Sequence, residues 1–448
     1  MKAINKSTLI SFVVMSGLFV VPVAQATNGY FMHGYSTKEK GLAGAGVAYA
    51  QDSLAAATNP AGIAFVGERM DAAVTMFSPS DRGFTLTGTP VPPTVPGAPA
   101  TFVNAVPGTT YTSENDLFFI PQFGYSMALD SESAFGVAVY GNGGMNTKYA
   151  ASATPGGAGI FGAGDAGINL EQMFLNVSYA KKIDAKQAYG ASLIMVGQRF
   201  AAQGLESFGA SGFSLDPNSL SGNRHSYSYG AGVKLGYQGE VANNFSVGVS
   251  YQSKIVMSEF DEYKGLFAEA GGFDVPSTYT LGFAYGLGAS GKLVFDVQKI
   301  NYSEVASVAN PVQNLFGCTA PGDADCLGGA NGGGFGWEDM TVMKLGYEIE
   351  AGGNVYRFGY SKGDMPIVGG ASPMASQTFF NILAPAVIEQ HITFGMTAPV
   401  GQDQEFNLAI MIAPNTSVKG ANPFDGGSTD IEIEMEQKEI QVGWAWKY

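Results

Sequence analysis

Apolar and polar residues alternate along much of this chain, most cleanly over its last nine residues, Ile440 to Tyr448. Ile440, Val442, Trp444, Trp446 and Tyr448 share one face of a strand. Gln441, Gly443, Ala445 and Lys447 share the other, because strand side chains point alternately to the two sides. An aromatic, apolar outer face over a small or polar inner face suits a barrel that meets lipid outside and water inside. The same period runs through Tyr279, Leu281, Phe283, Tyr285 and Leu287, through Met343, Leu345, Tyr347 and Ile349, through Phe406, Leu408, Ile410 and Ile412, and through Phe245, Val247, Val249 and Tyr251.

Such segments predict an all-β fold of about fourteen antiparallel strands, an even number as bacterial barrels have. They fall at 69–87, 117–128, 133–145, 169–183, 187–202, 225–238, 243–257, 276–287, 291–302, 340–350, 354–362, 389–398, 404–413 and 435–448. Short connections such as Asp130-Ser131-Glu132, Ala242-Asn243 and Gly352-Gly353 alternate with long ones at 88–116, 146–168, 203–224, 258–275, 303–339, 363–388 and 414–434. That is the barrel arrangement of short periplasmic turns and long outside loops, and it puts both termini in the periplasm. The Pro-rich run from Pro90 to Pro107 is then an outside loop.

The N-terminus predicts export. Lys2 and Lys6 precede an apolar stretch from Leu9 to Val23, and Ala24-Gln25-Ala26 is an A-x-A cleavage site, so residues 1–26 read as a signal peptide. No later segment offers the ~20 consecutive apolar residues of a spanning helix. A closed barrel still crosses a bilayer, because closure satisfies every backbone group. Without Lys2 and Lys6 the formal charge moves from −15 to −17, which excludes nucleic acid as a natural partner. Cys318 and Cys326 lie close together in a Gly-rich loop, and in an oxidising compartment they read as a disulfide. A metal site is the weaker alternative, since no His is near in sequence and two thiols rarely suffice. Nothing calls for a cofactor.

Residues 27–66 differ from the barrel, predicted over 67–448. Ser36 with Glu39 reads as a capping box, and Asp52 caps a second turn that Asn59-Pro60 stops. The helix between them, rich in Gly and Ala, is marginal alone. A piece this small forms no core of its own, so it must pack inside a host, and the barrel lumen is the host at hand.

Several stretches resemble the FadL-type outer-membrane channels for long-chain fatty acids and hydrocarbons. They are Asn28-Gly29-Tyr30-Phe31 onward to Gly44-Ala45-Gly46, then Asn59-Pro60-Ala61-Gly62, which resembles that family's hatch signature. Lys264-Gly265-Leu266-Phe267-Ala268-Glu269 with Phe273 and Pro276, Asp296 to Tyr302, Trp337-Glu338-Asp339, Gly359-Tyr360-Ser361 and Pro366 follow in order. The end, Gln441-x-Gly443-x-x-Trp446-x-Tyr448, resembles the assembly signal of outer-membrane barrels. The resemblance covers essentially the whole mature chain. It implies a fourteen-stranded barrel plugged by its own N-terminal hatch. It also implies uptake of hydrophobic small molecules, captured by outside loops and released through a gap in the wall. The expected setting is the cell outer membrane with its lipid and lipopolysaccharide, and the expected state is a monomer.

Physical features carry parts of that mechanism. Leu205, Phe208 and Phe213, then Leu266, Phe267 and Phe273, make two outside loops unusually apolar, as do Phe379, Phe380, Ile382, Leu383 and Val387 in a third. Exposed apolar patches mark binding sites; the alternative is that these residues pack the loops together. Pro121 removes a ladder donor from the second strand, and Gly141-Asn142-Gly143-Gly144 weakens the third, so a lateral gap is expected there; a harmless bulge is the alternative. Lys234, Lys344 and Arg357 should face the lumen, where they meet a ligand carboxylate or, the more ordinary outcome, lumenal acids such as Glu348, Glu389 or Glu405 or the hatch. Glu432, Glu434 and Glu436 share the outward face above the lipid and are expected to meet anionic sugars through divalent cations, with a solvated acidic rim as the alternative. An outer-membrane lipid hydrolase and a general porin are the rival readings. The first would rest on His391 near Glu389; the second is opposed by the segment before the barrel.

Overall fold

Each alternating segment pairs antiparallel with its neighbours, and the first pairs with the last. The computed structural model describes residues 28–90 and 102–448, so the expected signal peptide and part of the Pro-rich run lie outside the described residues. The strands are β1 (Arg69–Ser78), β2 (Gly83–Gly88), β3 (Thr110–Thr112), β4 (Phe118–Ala128), β5 (Ser133–Asn146), β6 (Gly167–Lys182), β7 (Gln187–Gln203), β8 (Ser226–Ala242), β9 (Phe245–Gln252), β10 (Val256–Met257), β11 (Thr278–Leu287), β12 (Gly291–Ile300), β13 (Met340–Ala351), β14 (Asn354–Gly363), β15 (Gln390–Val400), β16 (Gln404–Ala421) and β17 (Thr429–Lys447). All but β2, β3 and β10 make the wall, a closed antiparallel barrel of fourteen strands in which β1 joins β17 on one side and β4 on the other. Closure gives every wall strand a partner on both sides over at least part of its length.

The two faces separate as the pattern requires. Ile440, Val442, Leu281, Tyr285, Met343, Leu345 and Phe358 are exposed on the outside, while Gln441, Ala445, Lys344 and Asp296 are buried within. The short turns gather at one rim, where Tyr448 N donates to Glu68 O at 3.1 Å.

Three segments differ from the expected strands. The one expected over 69–87 is two strands: Pro79 lacks a ladder donor, Asp81 takes φ +48°, and β2 then pairs with the upper part of β17 from Thr429↔Gly88 to Glu434↔Gly83. The expected 243–257 strand divides too, with Val256–Met257 pairing on Gly230–Ala231 of β8. The expected loop 414–434 is mostly strand, because the chain absorbs Pro414 in a bulge between Ala413 and Thr416 and continues to Ala421↔Asp430.

The lumen is filled by the segment before β1. Every residue from Asn28 to Ala48 is buried. The segment carries α1 (Thr37–Lys40), α2 (Ala55–Thr58) and a 3-10 turn over Pro60–Ala64. Ser36 Oγ accepts from Glu39 N at 3.1 Å, but Glu39 reaches back to Tyr35 N at 3.4 Å, which is half a capping box. Asp52 Oδ1 accepts from Leu54 N at 3.1 Å. Inward glycines let the wall meet this segment backbone to backbone. A Cβ on Gly395 would lie 2.8 Å from Gly41 Cα, and one on Gly248 would lie 2.1 Å from Val47 O.

Candidate functional site

The Asn59-Pro60-Ala61-Gly62 turn is seated against the wall by its first residue. Asn59 Nδ2 donates to Val47 O at 2.7 Å and to Tyr237 O at 2.8 Å, while its Oδ1 accepts from Ala61 N at 3.1 Å. Pro60 and Ala61 lie over Gly190, where a Cβ would come within 2.6 Å of Ala61 N, and Gly62 lies against Ala50.

Lys234, Lys344 and Arg357 all face the lumen and are buried. Lys344 donates to His33 O at 3.1 Å and Gly44 O at 3.4 Å, and Lys234 donates to Ala57 O. Arg357 pairs with Glu348 at 2.7 Å and with Gln51 Oε1 at 2.8 Å. All three are engaged by the plug or by a wall acid. A small space between plug and wall is lined by residues that include His33, Glu39, Lys234, Asp296, Gln298 and Lys344. That polar lining does not suit an apolar solute.

Further anchors join the plug to the wall. Asp296 Oδ2 accepts from Gly46 N at 2.8 Å and Val47 N at 3.0 Å. Lys38 meets Glu405 and Lys40 meets Glu439, each at 2.7 Å. Tyr302 OH donates to Asn28 O and accepts from Tyr30 N. Asp296 and Tyr302 both fall in the Asp296 to Tyr302 stretch, so an inward acid between outward Phe295 and Val297 was the signal available for the first.

The ladder between β4 and β5 runs only from Ala128↔Ala134 to Phe123↔Val139. Beyond it, Phe118 to Gln122, with Pro121 among them, pair with β1 alone, and Tyr140 to Asn146 pair with β6 alone. The β5–β6 register shifts between Gly141 and Gly143, leaving Asn142 as the extra residue. The plug's leading end sits there. Met32 N donates to Asn142 O at 2.8 Å, Gly144 N donates to Tyr30 O at 3.2 Å, and Phe31 bridges Gly143. A Cβ on Gly143 would lie 1.7 Å from Tyr30 O.

The apolar loop residues pack on one another above the plug. Leu205, Phe208, Phe267 and Phe273 are buried; Phe213 and Leu266 are half-buried. The Phe208 ring lies 5.2 Å from Phe102, 5.7 Å from Phe161 and 5.6 Å from Phe380. Phe273 lies 5.0 Å from Phe267 and 5.9 Å from Tyr30, linking the outer loops to the plug's tip. The stretch with Phe379, Phe380, Ile382, Leu383 and Val387 is not an outer surface. Ser376 to Ile388 fold inward and are buried, held by Thr147 Oγ1 to Leu383 O at 2.8 Å and Tyr149 OH to Ile382 O at 2.9 Å.

His391 does not pair with Glu389. Its Nδ1 lies 3.0 Å from Ser361 Oγ, and its ring stacks on His33 at 5.5 Å, sealed from solvent. Cys318 and Cys326 are joined by a disulfide, and no group of metal-binding side chains occurs among the described residues. Glu432, Glu434 and Glu436 share the outer face of β17. Ser417 Oγ donates to Glu432 at 3.2 Å, and Lys438 pairs with Glu436.

A lipid-facing cylinder of fourteen strands, filled by its own N-terminal segment, defines a plugged outer-membrane barrel. A sequence model of the outer membrane protein transport protein family (OMPP1/FadL/TodX) matches residues 18–309, and the chain belongs to that family. The structure is similar to the Pseudomonas putida toluene transporter TodX, with 16% identity, a TM-score of 0.64, and coverage of 93% of this chain and 99% of that one. A Pseudomonas aeruginosa FadL homologue gives 14% identity, a TM-score of 0.64, and coverage of 94% and 99%. The Ralstonia pickettii toluene transporter TbuX gives 15%, 0.60, 93% and 99%. No curated protein matches the sequence. Family membership places the chain in the outer membrane and makes it a transporter of hydrophobic compounds rather than an enzyme.

Proposed function

We propose that the protein is a passive channel for long-chain fatty acids or hydrocarbons, which its apolar outer loops capture and which leave sideways between β4 and β5. The observation that carries this reading is the interrupted β4–β5 ladder with Tyr30 to Met32 set into it. An apolar solute that crossed into the periplasm along the barrel axis would be exposed to water at a cost of ~25 cal/mol per Å² of its surface. An exit into the bilayer keeps that surface dry. The route begins at half-buried Phe213 and Leu266, passes Phe267 and Phe273, and reaches Tyr30 beside the seam. The plug is the hatch, and displacement of its leading end opens the seam. The toluene transporters among its structural relatives favour hydrocarbons, and the resemblance of its sequence motifs to FadL-type channels keeps fatty acids beside them, so both classes stay in the proposal. The channel works as a monomer, and the outward row Glu432, Glu434 and Glu436 meets lipopolysaccharide through divalent cations.

The test closes the seam. Pro121 and Gly141 would face each other if the register Phe123↔Val139 continued. Cysteines at both positions, joined by a short bifunctional maleimide, should reduce uptake of a labelled hydrophobic solute to background while either cysteine alone leaves it intact. Full uptake by the joined protein would reject sideways release.

A further inference from the structure

The Cys318–Cys326 disulfide belongs to neither the barrel wall nor the plug. It lies in the 303–339 loop and joins two residues with a sequence separation of 8. Within the ring it closes, Thr319, Ala320, Pro321 and Gly322 are exposed. Asp323 Oδ2 folds them back, accepting from Thr319 N at 2.8 Å and Ala320 N at 2.7 Å. Burial begins at Cys326 and continues through Leu327, Gly328 and Gly329.

That buried run is hydrogen-bonded to both capture loops. On the 203–224 side, Leu327 N donates to Phe213 O at 2.9 Å and Leu215 N donates to Leu327 O at 3.0 Å, a parallel bridge opposite Ser214. On the 258–275 side, Ala270 N donates to Gly328 O at 2.9 Å and Glu269 N donates to Gly329 O at 3.2 Å. Glu269 and Ala270 take φ +58° and +59°. Residues with a Cβ keep that left-handed conformation only where their surroundings hold them in it. Both stand between Phe267 and Phe273, so releasing them frees the backbone that spaces those two rings. Gly328 itself has φ +86°, and a Cβ on it would lie 2.4 Å from Lys264 O. Next to β8 the two loops have ties of their own, Tyr263 OH to Asn223 O at 2.8 Å and Arg224 to Glu262 at 2.9 Å. At the other end of the ring, Cys318 N donates to Leu315 O at 3.2 Å, and Leu315 is buried. Gln313 Nε2 donates to Ser376 O at 2.8 Å, on the stretch that folds inward. The chain between is rich in glycine, at 317, 322, 328 and 329. A backbone so free to turn does not hold the run in place by stiffness, and the S–S bond supplies the restraint.

We propose that this disulfide is a clasp that positions both capture loops, so that hydrophobic solutes are captured well only while it is oxidised. The proposal rests on the channel reading, and it adds the covalent bond that shapes the entrance. A dithiol reductant opens the clasp in two steps. One of its thiolates attacks Cys318 Sγ, the more open of the two sulfurs, and Cys326 leaves as a thiolate. Its second thiolate attacks the mixed disulfide, Cys318 leaves, and the reductant departs as a cyclic disulfide. Two electrons pass to the protein, and the two protons of the reductant's thiols end on the cysteines.

The experiment has two arms. In the first, folded full-length protein in lipid nanodiscs is reduced with dithiothreitol, its freed thiols are counted, and hydrogen exchange is followed before reduction, after it and after reoxidation. The amides of Leu215, Glu269, Ala270 and Leu327 should exchange faster on reduction and recover on reoxidation, while the wall strands stay slow. In the second, uptake of radiolabelled toluene and palmitate is compared between cells making the wild-type chain and cells making the Cys318→Ser, Cys326→Ser double variant. The half-saturating concentration of at least one solute should rise about fivefold or more, with the maximal rate and the gel mobility of the folded barrel unchanged. If the double variant failed to fold, binding of both solutes to oxidised and reduced wild-type nanodiscs would make the same comparison. Unchanged exchange at those four amides with both thiols freed would overturn the clasp. So would an unchanged half-saturating concentration for both solutes, or a fall in maximal rate alone, since the bond would then govern passage and not capture. If the wild-type chain took up neither solute, the channel reading would be what failed, and the exchange arm would still judge the clasp.

Discussion

Lys40 on the plug's first helix and Glu439 on the last strand of the wall form an ion pair at 2.7 Å, with both side chains enclosed. Two buried charges are costly to bring out of water, and removing one takes the ion pair from the other, at about 3–5 kcal/mol. Lys40→Met should therefore lower the barrel's resistance to thermal unfolding, read by the mobility shift of the folded form in gels. It should also raise ion conductance in planar bilayers by loosening the plug. Lys40→Met with Glu439→Gln should recover most of the stability, because no naked charge remains. Unchanged stability in the single variant would show that water reaches the pair.

Gly143 receives Tyr30 O so closely that a Cβ there would lie 1.7 Å away. Gly143→Ala should push Tyr30 to Met32 off the seam. Those residues should become accessible to protease added from the periplasmic side, and conductance should rise. Gly162 in an outer loop, with no atom within 4 Å of a Cβ, is the control, though its φ of +76° makes Asn the better substitute there than Ala.

Asp296 holds the backbone of Gly46 and Val47 with one carboxylate oxygen. Asp296→Asn keeps the size and loses charge-assisted bonds worth about 1.5–3 kcal/mol each. Hydrogen exchange at Gly46 and Val47 should quicken while exchange in the wall strands stays slow. A uniform increase over the whole barrel would assign Asp296 to the wall instead.

The outer loops should part in acid. Ser226 Oγ donates to Glu262 and the Arg224 guanidinium pairs with it at 2.9 Å, and these partners hold its carboxyl below the ordinary range. A lowered folded pKa gives stability that is present above the unfolded value, about 4.3, and is lost as pH falls through the folded value. Protease nicking within 204–225 and 253–277 should increase over that acid range, and Glu262→Gln should be nicked alike on both sides of it. The effect is small, since the pair is open to water.

Strand positions were legible because a period of two writes the lipid face and the lumen face directly into the sequence. The plug was legible through Asn59-Pro60 and the small residues before it. Pairing destinations were harder to read. Pro79 and Pro414 look alike in sequence, yet one breaks a strand and the other sits in a bulge, because β17 is tall enough to accept both β2 and the upper part of β16. The stretch from Ser376 to Ile388 looked like an outer patch because apolarity says nothing of what covers it. The partner of Lys40 was beyond reach for the same reason, since Lys40 finds Glu439 across 399 residues.

Glu439 belongs to the strand that seals the wall against β1. The β1–β17 seam and the ion pair of Lys40 are therefore made by one piece of chain. Closing the wall and gripping the plug are therefore coupled, since the strand that shuts the cylinder also holds the acid that Lys40 must neutralise. The inner segment is part of what keeps the cylinder shut, a mandrel left inside its staves.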